Sequence, residues 1–90
     1  MASYKLVIKR SAAKEIESIE GKKTRQRVVE RIQELATSPR PHGCEKLSGK
    51  HPRYRIRQGP MRILYEIKDE ELVVFIVKVA DRRDVYKQLT

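Results

Sequence analysis

Residues 53–79 read RYRIRQGPMRILYEIKDEELVVFIVKV, and this stretch decides the fold class. It holds three runs rich in β-branched and aromatic residues, which predict strands over residues 53–58, 61–68 and 72–79. Gly59-Pro60 and Asp69-Glu70 separate these runs and are typical of turns, so consecutive strands should pair antiparallel. The third run is apolar at successive positions, and therefore on both faces, which predicts a strand inside the sheet.

The chain before this stretch predicts one more strand and two helices. A Leu-Val-Ile run indicates a strand over residues 4–9, and Ser11 is expected to cap a helix over residues 12–20. A second amphipathic helix is expected from residue 23 or 24 to residue 37, followed by a loop over residues 39–52 that Leu47 anchors to the core. The result is a single α+β domain over residues 1–90 with the order β-α-α-β-β-β, in which a helix hairpin packs on a mainly antiparallel, twisted sheet.

The composition indicates a polyanionic partner. The chain has 21 Lys+Arg against 12 Asp+Glu, a net charge of +9, and such an excess favours phosphates through counterion release, although an acidic protein would also fit. No apolar run approaches the roughly 20 residues of a membrane span, and no secretion signal is evident. A single cysteine excludes an internal disulfide, so we expect a cytoplasmic protein without a membrane partner.

Basic residues are concentrated just before and within the first two strands of the decisive stretch. Because strand side chains alternate between faces, Arg53, Arg55 and Arg57 should share one face, and the hairpin should bring Arg62 beside them. Between Lys46 and Tyr65 no acidic residue interrupts the basic ones, which are Lys46, Lys50, Arg53, Arg55, Arg57 and Arg62. A guanidinium group donates two parallel hydrogen bonds to phosphate, so the pattern predicts a grip on a nucleic-acid backbone, most simply RNA, with an ordinary solvated sheet face as the alternative.

Further basic and aromatic side chains follow the third strand. Arg82 and Arg83 should lie within reach of a neighbouring strand end, and Tyr86 could stack on a base or hydrogen-bond a 2′-hydroxyl, or simply be half-buried. His51 lies near the arginines, but a surface histidine beside a proline is more often inert. His42, Cys44 and His51 lack the spacing of a metal site, so no metal or small-molecule cofactor is predicted.

Six short motifs occur in one order along nearly the whole chain: Ser38-Pro39-Arg40, Lys46-Leu47-x-Gly49, Tyr54-Arg55-Ile56-Arg57, Arg62-Ile63-Leu64-Tyr65, Val73-Val74-Phe75-Ile76-Val77, and Val79-Ala80-Asp81-Arg82 leading to Val85-Tyr86. In the order and spacing of these motifs, the chain resembles the RelE group of the RelE/ParE superfamily, which comprises the toxins of toxin-antitoxin pairs. The resemblance implies an endoribonuclease that inhibits translation by cutting mRNA in the ribosomal A site, without a metal, and that a cognate antitoxin protein neutralises. Its partners would be the ribosome and mRNA.

The resemblance also implies the site residues. The family's working positions correspond to Arg55, Arg57, Arg62, Arg82 and Tyr86, which we expect to be catalytic, while RNA binding is expected of Lys46, Lys50, Arg53 and Arg83. On this pattern Arg57 and Arg62 clamp the phosphate, Arg82 lies near the leaving 5′-oxygen, and Tyr86 orients the 2′-hydroxyl that attacks it.

One departure from the family pattern affects the mechanism. The best-known members have lysine where this chain has Arg55 and Arg57, and arginine does not lose its proton at working pH. Both arginines are therefore assigned to charge stabilisation, and the general base is left open. Two other functions also fit the sequence: a ParE-like toxin that binds DNA gyrase without cutting RNA, and an RNA- or ribosome-binding module without catalysis.

Overall fold

The computed structural model describes residues 3–47, 49 and 52–81. The predicted α+β order is confirmed, with one strand added between the helices and the decisive stretch. The strands are β1 Lys5–Ile8, β2 Glu45–Leu47, β3 Arg53–Gln58, β4 Met61–Lys68 and β5 Val73–Asp81, and the helices are α1 Arg10–Glu17 and α2 Lys22–Glu34.

The five strands form one sheet in the order β1-β5-β4-β3-β2. β5 lies between β1 and β4, which confirms the interior strand predicted from its two apolar faces. β1 runs parallel to β5, whereas the other three pairs are antiparallel. The β4–β5 ladder is irregular between Leu64 and Tyr65, so the register on the two sides of this point differs by one residue.

Both helices bury their apolar faces against the same side of the sheet. Alternate residues of β3, β4 and β5 point into this core, where Ile56, Ile63 and Ile76 are almost completely buried. The helices supply Ala12, Ile16, Val28, Ile32 and Leu35, at the three- and four-residue spacing of one helix face. The opposite face of β3 and β4 carries mainly charged side chains, together with Leu64.

The helix boundaries differ from those predicted. Ser11 is not the cap of α1, because the helix already begins at Arg10 and the preceding residue, Lys9, makes no side-chain capping bond. The amide of Lys9 still donates to the carbonyl of Ile76, so α1 begins directly where the chain leaves the β1–β5 ladder. The helices end at Glu17 and Glu34, in each case three residues before the predicted end. Residues 35–37, predicted as the last turn of α2, form a turn after the helix.

The predicted loop over residues 39–52 was wrong in one part, because it contains β2 at the edge of the sheet. The predicted anchor was also wrong: Leu47 pairs with Arg53 and so lies on the face opposite the core, while Cys44 packs against the core instead. A strand of three residues is too short to display an alternating pattern, which is why the sequence did not indicate it.

Candidate nucleic-acid interface

The arginines of β3 occupy the sheet face that the helices leave uncovered. Tyr54 and Ile56 are buried on the core side, so Arg53, Arg55 and Arg57 share the outer face, as the alternation predicted. Arg57 lies directly opposite Arg62 in the β3–β4 ladder. Two guanidinium groups in opposed positions of one ladder lie close enough for a single phosphate to interact with both of them.

Arg62 differs from the other arginines in being buried, with 7% of its surface exposed. Its cross-strand neighbours are Arg57 on one side and Ala80 on the other, which places it in the middle of the sheet. Burial restricts the side chain to few conformations and costs free energy for a charged group unless it is compensated. Arg62 is thus a fixed cation, whereas Arg57 is an exposed one.

β2 brings a carboxylate to the arginines. Glu45 lies opposite Arg55, and its Oε2 is 2.6 Å from Arg55 Nη2. The hydrogen bond and charge of Arg55 lower the pKa of Glu45, and the charges of Arg57 and Arg62 lower this pKa further. Glu45 therefore lies within the positive field of three arginines and is ionised at neutral pH.

Sequence reasoning missed Glu45, because it lies one residue before the segment that is free of acidic residues. Recognition of a short edge strand that pairs with β3 would have revealed Glu45, because this pairing brings residue 45 opposite residue 55. A second carboxylate, Glu66 of β4, lies opposite Arg53 and accepts a 3.1 Å hydrogen bond from its Nε. The arginine row is consequently not an uninterrupted positive charge, and such exposed pairs stabilise the fold by only about 0–1 kcal/mol each.

Arg57 is the arginine of β3 that keeps no ion pair within the described part of the chain. Both of its neighbours on the same strand face, Arg53 and Arg55, have carboxylate partners. An incoming phosphate would therefore meet Arg57 without first displacing a carboxylate from it. This focuses the site on the Arg57–Arg62 pair rather than on the whole row.

The other predicted site residues are not all brought to this face. Lys46 pairs with Tyr54 and so lies on the opposite side of the sheet from the arginines, at its exposed edge. Lys50, Arg82, Arg83 and Tyr86 lie outside the described residues, as does His51. Asp81 ends β5 opposite Met61, next to the Arg62–Ala80 pair. Arg53, Arg55, Arg57 and Arg62 are thus the predicted residues that the described structure brings together.

Within residues 3–47, 49 and 52–81, no three His, Cys, Asp or Glu side chains are grouped as metal ligands. No helix in the same ranges has the length and apolar character needed to cross a membrane.

Comparison with known proteins gives a match to one family and to a set of solved structures. A family model for the ParE toxin of the type II toxin-antitoxin system parDE matches residues 6–86. No curated protein sequence matches the chain significantly.

The solved structures are toxins, alone or in complexes. The chain is 30% identical to the isolated E. coli RelE toxin, with a TM-score of 0.76 and coverage of 97% of this chain and 95% of that one. It is 27% identical to a chain of the archaeal RelE–RelB complex from Pyrococcus horikoshii OT3, with a TM-score of 0.79 and coverage of 89% and 96%. The RelBE2 toxin-antitoxin complex of Mycobacterium tuberculosis shares the fold at 24% identity, a TM-score of 0.76 and coverage of 89% and 99%.

Proposed function

Because the chain belongs to the RelE group of the RelE/ParE superfamily, the toxins of type II toxin-antitoxin pairs, we propose that it is a ribosome-dependent endoribonuclease. It cuts mRNA in the A site, in the cytoplasm, and a cognate antitoxin of the RelB kind neutralises it. The observation that carries this proposal is the opposed pair of Arg57 and Arg62 on the sheet face that the helices do not cover.

The proposed chemistry is attack of a 2′-hydroxyl on the adjacent phosphate. Negative charge grows on the phosphoryl oxygens in the transition state, and cations held at that position stabilise it more than they stabilise the substrate. Arg62 supplies a positive charge whose position is fixed by burial. Arg57 is exposed, and its side chain can move towards a bound phosphate. Arg55 adds to the positive potential. We assign the leaving 5′-oxygen to Arg82 and the orientation of the 2′-hydroxyl to Tyr86, as the family pattern suggests.

The proposal is tested by adding the purified chain to ribosomes that are translating a defined mRNA and mapping the new 5′ ends. We expect cuts within the A-site codon, and we expect Arg57→Ala to lower the single-turnover rate by about 10²–10³-fold, as for loss of one transition-state donor. Arg62→Lys should also cut poorly, because it keeps the charge but loses the two-pronged donor. Arg27→Ala, an equal change of charge on the exposed side of α2, is the matched control and should cut normally.

Thermal melting separates loss of chemistry from loss of fold, which matters for Arg62 because it is buried. A variant at Arg57 or Arg62 that melts like the wild type and cuts at the wild-type rate would contradict the proposed site. Binding to ribosomes that weakens steeply with salt, but without cleavage, would instead indicate a non-catalytic binding module.

The family model favours one other function, because it describes the ParE toxin. A ParE-like chain would bind DNA gyrase and leave mRNA intact. A gyrase assay that traps cleaved DNA, combined with uncut mRNA on translating ribosomes, would establish this second function. The opposed pair of Arg57 and Arg62 favours the ribonuclease, because a protein-binding inhibitor has no need of a phosphate clamp.

A further inference from the structure

The proposed reaction requires a group that accepts the proton of the 2′-hydroxyl. Arg55, Arg57 and Arg62 remain protonated at any working pH, so none of them can accept it. The described part of the open face offers two carboxylates beside the arginines, Glu45 and Glu66.

The register of the strands distinguishes these two carboxylates. Glu66 lies opposite Arg53, which is four residues along β3 from Arg57, a distance of about 13 Å at the usual strand rise. Glu45 lies opposite Arg55, which is two residues from Arg57 on the same face, or about 7 Å along the strand. Because the 2′-oxygen and the phosphorus it attacks belong to the same nucleotide, the base must be close to the phosphate clamp. Glu45 meets this condition better.

We propose that Glu45 is the general base of this site, on the evidence of its position beside the Arg57–Arg62 clamp and its access to solvent. The inference rests on the proposed ribonuclease function. About half of the Glu45 side chain is exposed, on the edge strand of the sheet, so an RNA strand lying on the arginines can reach it. Its second oxygen, Oε1, is not used in the hydrogen bond to Arg55.

The step balances without any other reactant. The 2′-hydroxyl gives its proton to a Glu45 oxygen while the 2′-oxygen forms a bond to phosphorus. The bond from phosphorus to the 5′-oxygen breaks, and the leaving 5′-oxygen takes a proton from solvent. The products are a 2′,3′-cyclic phosphate and a 5′-hydroxyl end, and Glu45 returns its proton to solvent.

The charges around Glu45 make it responsive to substrate. Arg55 and Arg57 of β3 and Arg62 of β4 keep the carboxylate ionised in the free protein. A phosphate bound to the same arginines offsets their charge and shares their hydrogen bonds, which raises the affinity of Glu45 for a proton. The base therefore becomes stronger when the reacting group arrives.

Substitution of Glu45 separates a general base from a simple counter-ion of Arg55. Glu45→Gln keeps an oxygen that can accept the Arg55 hydrogen bond but removes the basic group. We expect its single-turnover cleavage rate on the ribosome to fall by about 10²–10⁴-fold, the usual contribution of general base catalysis. Ribosome binding should be unchanged or tighter, because one negative charge has been removed from a phosphate site. Glu66→Gln, the same change beside Arg53, is the matched control and should cut normally.

Chemical rescue supplies a readout that a structural role would not change. Added formate should restore cleavage by Glu45→Ala in proportion to its concentration, because the small carboxylate can occupy the vacated space, and it should not rescue Glu45→Gln. Thermal melting of each variant checks the fold, and the exposed position of Glu45 predicts melting close to that of the wild type.

The outcomes that overturn this inference are distinct from failure of the proposed function. If Glu45→Gln cuts at the wild-type rate or faster, Glu45 is a counter-ion and the base proposal is wrong, although the ribonuclease stands. If Glu45→Ala loses as much as Arg55→Ala, the double variant loses no more and formate has no effect, Glu45 only positions Arg55. If the wild-type chain does not cut mRNA, the proposed function fails and this inference fails with it.

Discussion

At the scale of single residues, the core side of β3 is fixed by a chain of polar and aromatic contacts. The guanidinium of Arg40 lies over the ring of Tyr54, 5.4 Å from its centroid, and donates a 3.3 Å hydrogen bond to its hydroxyl. Tyr54 stacks on Tyr65 with 5.8 Å between ring centroids, and the Tyr65 hydroxyl donates to the carbonyl of Pro39. Burial raises the pKa of Tyr65, so its hydroxyl remains a donor throughout the working pH range. These contacts fix the core face of β3, and the opposite face of the strand carries the arginines.

Asp69 connects this cluster to the β4–β5 turn and gives it a pH dependence. Arg40 Nη2 lies 2.8 Å from Asp69 Oδ2, and Tyr4 donates a 2.7 Å hydrogen bond to Oδ1. The hydrogen bond from Arg40, followed by that from Tyr4, lowers the pKa of Asp69 to about 2. A carboxyl group whose pKa is lower in the folded state contributes stability above its unfolded pKa, and this contribution is lost as pH falls towards the folded value.

We therefore expect Asp69→Asn to melt at a lower temperature than the wild type at neutral pH. The gap should narrow as pH falls from about 4 towards 2, because the wild-type carboxyl then becomes protonated as well. Melting curves over this range measure the gap. Glu70→Gln, in the same turn, is the control and should show no comparable gap. A gap at Asp69 that stays constant down to pH 2 would contradict this account.

At the scale of elements, α1 closes the part of β5 that β1 does not reach. β1 pairs with β5 only as far as Ile76, so no strand within residues 3–47, 49 and 52–81 pairs with the following residues of β5 on that side. Glu15 of α1 fills the gap: its Oε1 accepts a 3.1 Å hydrogen bond from the amide of Val79, and its Oε2 lies 2.6 Å from Lys78 Nζ. A helix side chain thus takes the place of a sixth strand at this edge.

Removal of this contact should destabilise the fold. We expect Glu15→Ala to lower the free energy of unfolding by about 1–3 kcal/mol, because it leaves the Val79 amide and the Lys78 ammonium without their acceptor. Glu15→Gln should lose less, since its amide oxygen can still accept from Val79. Urea unfolding measures both changes, with Glu17→Ala on the exposed face of α1 as the control. Equal stability of Glu15→Ala and Glu17→Ala would show that the edge contact contributes little.

Elements with a strong local pattern could be predicted from the sequence, and elements that depend on a distant partner could not. The three strands of residues 53–79 follow from the alternation of Tyr54, Ile56 and Ile63 with arginines and from clear turns between them. β2 is stable only because β3 lies beside it, and three residues carry no pattern of their own. The start of α1 depends on the bond from Lys9 to Ile76, sixty-seven residues away, rather than on a local capping residue.

The residues of the candidate site also differ in whether the sequence alone could predict their positions. Arg53, Arg55, Arg57 and Arg62 could be grouped from strand alternation and one turn, both of which are local. The partners Glu45 and Glu66 could not, because each depends on the exact register of a ladder, and a shift by one residue would move either carboxylate to the other face.

At the scale of the whole molecule, the strand order makes the last strand the centre of the sheet. β5 contacts both β1 and β4, and it supplies Val74, Ile76 and Val79 to the core. Complete burial of one such side chain contributes about 1.5–3 kcal/mol. Three of them together are comparable with the entire stability of a small domain, about 5–15 kcal/mol.

A fragment of residues 1–68 should consequently be unfolded, although it includes the whole arginine hairpin. We expect it to give a narrow range of amide proton shifts, whereas a fragment of residues 1–81, which retains β5, should give the dispersed spectrum of a folded chain. NMR spectra of the two fragments under the same conditions make the comparison. A dispersed spectrum from residues 1–68 would mean that the hairpin and helices fold without the central strand.

The position of β5 also has a consequence for the synthesis of the protein. β1 leaves the ribosome well before β5, the strand it pairs with, and at roughly 5–20 residues per second several seconds separate the two. Until β5 has emerged, the β3–β4 hairpin that carries the arginines lacks the strand that joins it to the rest of the sheet. If the chain is the ribonuclease proposed above, the nascent chain is expected to be harmless to the ribosome that is making it. An antitoxin already present in the cell can then bind the toxin as soon as it folds.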